Sequence, residues 1–411
     1  MLFLYNLGVR SYALAIQLAS NFNAKAKRFV SGRAQVWNEL RNYRDASKAE
    51  VVWFHAASLG EFEQGLPVME AFRKEFPKYQ IVVSFFSPSG YELRKNHPIA
   101  DFTCYLPIDS ASNAREFLDI LKPSIVFFIK YEYWYHYLNE VHKRGIPLYS
   151  ISALFTSGHI FFKSYGGFHR KMLQMFSHTF VQNSKSEMLL KSIGVMNCSI
   201  SGDTRFDRVK KTVSSPQAYP EIEAYLKDST TFIAGSVWPE DMEVIAEFVN
   251  QNPGHVKVIV APHLIEDGHL KKITRHLKVP FQFYSKGNLS KDKPVLMLDT
   301  MGMLSSIYQY GDFAYIGGAF GDGLHNILEA VAFGLPVVFG NSGLDKFPES
   351  EELATLGGAF PVDDSETASE VLSSLAFEDY RKGASTVCLK YVEEKAGATQ
   401  KIMSYLKKEL K

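Results

Sequence analysis

Cysteine is scarce in this chain of 411 residues: only Cys104, Cys198 and Cys388. No two of them form a CxxC pair. That argues against a disulfide framework and a thiolate zinc site, and points to a reducing compartment. Net charge is nearly absent as well. Lys and Arg total 45 against 44 for Asp and Glu, without the basic excess of a dedicated nucleic-acid binder, so no nucleic acid is expected as a partner. The 12 histidines show no HExxH or similar ligand spacing, so no metal site and no metal catalysis are expected. Long apolar runs are also missing. Arg10 interrupts the apolar start MLFLYNLGVRSYALAIQLA, which falls short of the roughly 18–20 clean residues of a firm membrane span. No convincing small-residue cleavage motif follows, so a secretory signal peptide is disfavoured.

What is present is ordinary for a globular protein: 46% hydrophobic and 22% charged residues, too apolar for a disordered chain. The length suggests two or three domains. The even charge hides a local imbalance, because residues 1–38 carry Arg10, Lys25, Lys27, Arg28 and Arg33 and no acid at all. An apolar helix followed by bases suits a membrane-anchor segment, its bases meeting anionic lipids on the cytoplasmic side. The alternative is a helix packed on the protein's own core.

From Val51 onward, apolar runs such as VVWFHAA, QIVVSFF, SIVFFIK and HTFVQN alternate with helical stretches. This predicts a parallel sheet covered on both faces. The polar stretch VKKTVSSPQAYP breaks the rhythm. Alternation then restarts with TTFIAGS, HVKVIVAPH, PVLMLDT, FAYIGGAF and PVVFG. The expected organisation is an anchor helix over 1–38, a doubly wound domain over 39–208, a linker over 209–228 and a second doubly wound domain over 229–378. The closing helices, 379–411, are candidates to cross back to the first domain. Two such domains would face a central cleft, and ligands bind beyond the carboxyl ends of their strands.

The loops after strands carry the candidate chemistry. In HAASLGEFEQGLP, Ser58 can cap a helix and Glu61 sits at its start, either as a proton acceptor or only as a complement to the helix dipole. In FFIKYEYWYH, Lys130 and Glu132 follow a strand, with Trp134 beyond; the bland alternative is a surface ion pair and core aromatics. YIGGAFGDGLHNILEA places Gly317, Gly318, Gly321 and Gly323 between a strand and a predicted helix, where backbone can approach a phosphate. It is neither GxGxxG with a following acid nor GxxxxGK[ST], which disfavours a nicotinamide cofactor and excludes a P-loop. Glu329, one turn into that helix, could hold ribose hydroxyls. LDTMGML puts Met301 and Gly302 in another such loop. His263 follows Pro262 at a strand end, where a lone histidine is more often structural than catalytic.

The ordered set HAASLGE, KYEYW, GDTRFD, AGS, APH, DTMGM, GGAFGDGLHNILEA and KFPES resembles the 3-deoxy-D-manno-octulosonic acid (Kdo) transferases of lipopolysaccharide biosynthesis. The resemblance covers nearly the whole chain. It implies a GT-B glycosyltransferase of two Rossmann-like domains, at the cytoplasmic face of the bacterial inner membrane. Kdo would pass from CMP-Kdo to a lipid A precursor, lipid IVA, with inversion and without a cofactor or required metal. The family's base falls on Glu61. Transition-state contacts fall on Lys130, Glu132 and Arg205. CMP contacts fall on Pro262, His263, Met301, Gly302, Met303, Asn326, Ile327, Leu328 and Glu329. The chain departs from the family at His263, where Arg is usual, at Met303, where Glu is usual, at Lys130, where a second Glu is usual, and at Arg205, where Lys is usual. The other readings are a different GT-B transferase or nucleotide-sugar epimerase, or a non-catalytic membrane-peripheral binding protein.

Overall fold

The structure, a computed structural model, describes residues 1–251, 254–321, 323–344 and 347–410. Asp322 and Lys346, which belong to two of the motifs above, lie outside the described residues. The chain forms two compact units, one of residues 1–208 with 396–411, the other of residues 209–395.

The first unit is built on seven parallel strands: β1 (Val51–Ala56), β2 (Gln80–Phe85), β3 (Phe102–Tyr105), β4 (Ile125–Ile129), β5 (Leu148–Ala153), β6 (His178–Val181) and β7 (Cys198–Ile200). Their order is β3-β2-β1-β4-β5-β6-β7. Successive side chains of a strand point to opposite faces, and here both faces are covered. Val52, Phe54 and Ala56 of β1 pack with Phe62, Leu66 and Met69 of the helix Leu59–Glu75 and with Ile402 and Leu406 of the closing helix Ala398–Glu409. Val51 and Trp53 point the other way, into a core with Val36, Leu40, Phe117 and Leu138. The sheet order reverses direction at β1 and β4, which makes the loops after these two strands the switch point where doubly wound folds place ligands.

The second unit repeats the plan with β8 (Thr230–Val237), β9 (Val256–Pro262), β10 (Phe281–Phe283), β11 (Val295–Met297), β12 (Phe313–Ile316), β13 (Val337–Gly340) and β14 (Ala359–Val362), in the order β10-β11-β9-β8-β12-β13-β14. Its switch point lies after β8 and β12. Two expectations need correction. The stretch 209–228 is not a bare linker: helices Thr204–Ser214 and Pro220–Leu226 occupy most of it, with Ile222, Tyr225 and Leu226 buried. The helix after the glycine-rich loop is only Leu328–Val331, because Gly334 in a left-handed turn (φ 81°) and Pro336 end it early. Glu329 is therefore its second residue, and so short a helix supplies no useful macrodipole.

The N-terminal segment is two helices of different character. Leu2–Ala19 has no buried residue, and Leu2, Phe3, Leu4, Leu7, Leu14 and Leu18 are exposed. It is tied down by polar contacts: Tyr5 donates its hydroxyl to Asp109 and accepts from the Tyr135 N–H at 3.2 Å, and His136 Nε2 lies 2.7 Å from Asn6 Oδ1. Ala24–Ala34 instead buries Ala26 and Phe29. Arg33 is turned inward, stacked 3.5 Å over Phe29 and donating to the carbonyls of Leu106 at 2.9 Å and Phe86 at 2.7 Å. One of the five bases expected to meet lipid is therefore a structural pin, and burial pushes its guanidinium down to about 10. Among the described residues no helix is long and apolar enough to cross a membrane.

Candidate functional site

In the first unit, β1 runs into a turn closed by a capping box. Ser58 accepts from Glu61 N–H, and the Glu61 carboxylate accepts from the N–H of Ser58 at 3.0 Å and of Ala57. Two backbone donors alone would hold a carboxyl low. Burial and the nearby charge of Glu132 outweigh them, and Glu61 is pushed up to about 8. Lys130 acts in the lowering direction.

Glu132 is held from both sides. Its Oε2 accepts from Trp134 Nε1 and lies 3.2 Å from Nε2 of fully buried His55. His55 Nδ1 is 2.8 Å from Ser84 Oγ, which also accepts from Trp53 Nε1 at 2.8 Å. An indole N–H can only donate, so Ser84 Oγ accepts from Trp53; His55 Nδ1 also lies 3.1 Å from the Ser84 carbonyl oxygen, an acceptor, so a proton on Nδ1 suits both of its Ser84 contacts. The β1–β2 register makes His55 and Ser84 direct partners. Lys130 is held in a left-handed conformation (φ 64°), a strained state for a non-glycine residue of the kind that clusters at functional sites. Its ammonium lies 4.9 Å from the centre of the Tyr131 ring.

Arg205 begins from the β7 end. Asp203, buried, takes Arg205 Nε at 2.7 Å and the Arg205 N–H at 2.9 Å, while Gln64 Nε2 donates to it at 2.9 Å. Burial alone would raise Asp203, but the Arg205 charge and these donors hold it below the ordinary carboxylate value. Glu61, Asp203 and Arg205 all act on the Tyr131 hydroxyl, whose proton burial makes harder to lose. The structure thus gathers Glu61, Lys130, Glu132 and Arg205 around one switch point.

The second-unit candidates are more dispersed. Pro262 ends β9, buried, and the next residue, His263, stacks on Trp238 with ring centres 4.5 Å apart. Met301 is exposed, Gly302 is left-handed (φ 85°) and Met303 is buried. Asn326 donates to Glu329 at 3.1 Å. Ile327 and Leu328 bury their side chains, which leaves their backbone as the part a ligand can reach. The glycine-rich loop is pinned by Asp241, whose Oδ2 accepts from Trp238 N–H and Gly318 N–H, both at 2.9 Å. A Cβ on Gly317 would come within 2.5 Å of that same oxygen and 2.4 Å of the Ser236 carbonyl, so only glycine fits there. Among the described residues no group of three or more His, Cys, Asp or Glu side chains is placed to hold a metal ion.

Sequence reasoning did not single out His55, Ser84, Asp203, Trp238, Asp241 or His325. His55, Asp203 and His325 lay inside the motifs given above, and Trp238 and Asp241 open a helix directly after the AGS strand. Ser84 carried no local signal.

Two doubly wound units, each on a seven-stranded parallel sheet, make up a fold of the GT-B type. The family profile described as 3-Deoxy-D-manno-octulosonic-acid transferase (kdotransferase) matches residues 32–208, most of the first unit. A 3-deoxy-D-manno-octulosonic acid transferase of Chlamydophila psittaci is 25% identical over 331 residues, covering 76% of this chain and 74% of the relative. Those of Chlamydia trachomatis serovar A and Rickettsia bellii are 28% and 26% identical, with coverage of 71% and 70%, and of 71% and 71%. The profile and these relatives, similar along about three quarters of the chain, support a glycosyltransferase that transfers Kdo in lipopolysaccharide synthesis. Among solved structures, the UDP-GlcNAc 2-epimerase of Neisseria meningitidis bound to UDP-GlcNAc superposes with a TM-score of 0.63 at 14% identity, covering 87% of this chain and 100% of that one. That of Methanocaldococcus jannaschii gives 0.56 at 13%, covering 86% and 99%. At such identities the likeness is one of fold.

Proposed function

We propose that the chain transfers Kdo from CMP-Kdo to a lipid A precursor, lipid IVA, with inversion and with Glu61 as general base. The observation that carries this reading is the Glu61 carboxyl at a switch point, its pKa raised by burial and by the charge of Glu132. A base works best when its pKa lies near the operating pH. The acceptor hydroxyl attacks the anomeric carbon as the bond to the CMP phosphate breaks. The bonding pair leaves with CMP, and the hydroxyl proton passes to Glu61. Lys130 and Arg205 supply positive charge near the reacting centre, and the donors on Glu132 fix the carboxylate that tunes Glu61.

The second unit holds CMP without a metal. The glycine-rich loop, which lets the chain approach closely, and the backbone of Ile327 and Leu328 serve phosphate. Asn326 and Glu329 serve ribose. Pro262, His263, Met301, Gly302 and Met303 line the remainder. For the acceptor's apolar part, a groove of about 480 Å³ lined by Leu4, Val9, Tyr12, Phe86 and Trp134 ends at the residue whose indole holds Glu132. The exposed leucines of Leu2–Ala19, with Arg10, Lys25, Lys27 and Arg28, support placing the protein on the anionic cytoplasmic face of the inner membrane.

Mass analysis of products from CMP-Kdo and lipid IVA tests the reaction; no Kdo-bearing lipid from active-fold protein would refute it. For the membrane reading, deleting residues 1–20 should abolish binding to anionic vesicles and leave the melting temperature nearly unchanged. Deleting 1–34 removes the Phe29 and Arg33 contacts too, and should destabilise the unit by about 2–4 kcal/mol.

A further inference from the structure

Three rings meet at the carboxyl ends of β8, β9 and β12. Trp238 follows β8, His263 follows β9, and His325 closes the glycine-rich loop. Trp238 Nε1 donates to His325 Nε2 at 3.1 Å. His263 lies across both rings, nearly parallel to each, with centre separations of 4.5 Å and 4.5 Å. The backbone beneath is fixed independently. Fully buried Asp241 accepts from the N–H groups of Trp238 and Gly318 with one oxygen, and from the Tyr315 hydroxyl at 2.9 Å with the other. The His325 ring packs on Gly318 (φ 102°), where a Cβ would come within 2.8 Å of imidazole Cδ2. Trp238 therefore touches both ends of the loop, through its backbone by way of Asp241 and through its indole directly.

Because an indole N–H has no acceptor role, His325 Nε2 must be the acceptor, and the proton of the neutral imidazole resides on Nδ1. We propose that Trp238 is a positioning residue that locks His325 as its Nδ1–H tautomer, making this imidazole a neutral hydrogen-bond donor in the loop that receives the donor nucleotide's phosphate. The inference rests on the donor-site reading given above. Neutral donors fixed in advance stabilise a developing phosphate charge without reorganising, and His263 stacks on both rings.

Trp238→Phe keeps a ring for His263 but removes the N–H. In the full chain, nitrogen-15 imidazole spectra should show His325 protonated at Nδ1 only, and a tautomer mixture in Trp238→Phe. CMP affinity by calorimetry should fall about 2- to 12-fold, the weight of one hydrogen bond, with melting temperature and acceptor KM unchanged. Trp238→Ala, which also loses the stack, should bind CMP more weakly still. A parent spectrum with Nε2 protonated, or CMP binding indifferent to Trp238→Phe, overturns the proposal alone. Absence of CMP binding by the parent chain removes the donor-site reading and this proposal with it.

Discussion

The two units share a plan and use it differently. Each has seven parallel strands and a switch point flanked by two loops. In the first unit the loops after β1 and β4 present ionisable side chains, Glu61, Lys130 and Glu132, within a partly buried network of hydrogen bonds. In the second, the loops after β8 and β12 present backbone and rings, and the buried carboxylate there, Asp241, is spent on N–H groups and a tyrosine. Backbone distortion accompanies both. The β5 ladder shifts register beside Ser152 (φ 55°), and the β8 ladder shifts beside Ser236 (φ 54°). Ser152 Oγ meets Thr204 Oγ1 at 2.8 Å, next to Asp203, whereas the Ser236 carbonyl presses on Gly317. One fold thus yields a unit suited to moving a proton and a unit suited to cradling an anion; the difference lies in which groups the loops expose.

The comparison breaks most easily at Glu61. Glu61→Gln keeps the volume and removes the proton acceptor, so turnover should fall by about 10²- to 10⁴-fold, while donor KM, set in the second unit, stays near that of the parent. Steady-state kinetics with each substrate varied separates the two. Near-normal turnover would move the base elsewhere.

The matching change in the second unit is Asp241→Ala. It strands the buried Gly318 N–H and the Tyr315 hydroxyl, each worth about 1–3 kcal/mol when unsatisfied, and the half-buried Trp238 N–H, which water can reach. Urea unfolding should show a loss of about 2–5 kcal/mol, and CMP binding should weaken because Gly318 is released. If stability drops but CMP affinity does not, the loop is not the phosphate cradle and the contrast between the units loses its second half.

Much of this was legible in the sequence, for physical reasons that also explain the gaps. Central strands are buried on both faces and read as unbroken apolar runs, so β1, β2, β4, β8 and β9 stand out. The strands that escaped notice, β7, β10 and β14, all lie at sheet edges, are three or four residues long and are partly exposed, so no apolar run marks them. Glu61, Lys130 and Glu132 stand out because each follows closely on a strand, whereas Arg205 is marked only by the family resemblance of GDTRFD. The His55–Ser84 pair was not, because strand pairing joins residues 29 apart. The overlong helix at Asn326 shows the opposite error: NILEAVAFG has helical composition, but Gly334 and Pro336 stop it after Val331.

The subtlest test concerns which neighbour tunes Glu61. Burial is the larger cause of its raised pKa and the charge of Glu132 the next. The base is active only when deprotonated, so turnover limited by Glu61 should rise with pH through about 8 and level off above it. Glu132→Gln removes the negative neighbour and leaves the burial. The carboxylate form of Glu61 then meets less repulsion, its pKa falls, and the rising limb should move to lower pH while staying above the ordinary carboxylate range. Trp134 can still donate to the glutamine oxygen, so the loop keeps its shape and the shift reports charge. A pH–rate profile of the variant at saturating donor reads it directly. A limb that stays in place would mean burial alone sets the base, and a limb that moves to higher pH would show that Glu132 stabilises the Glu61 carboxylate.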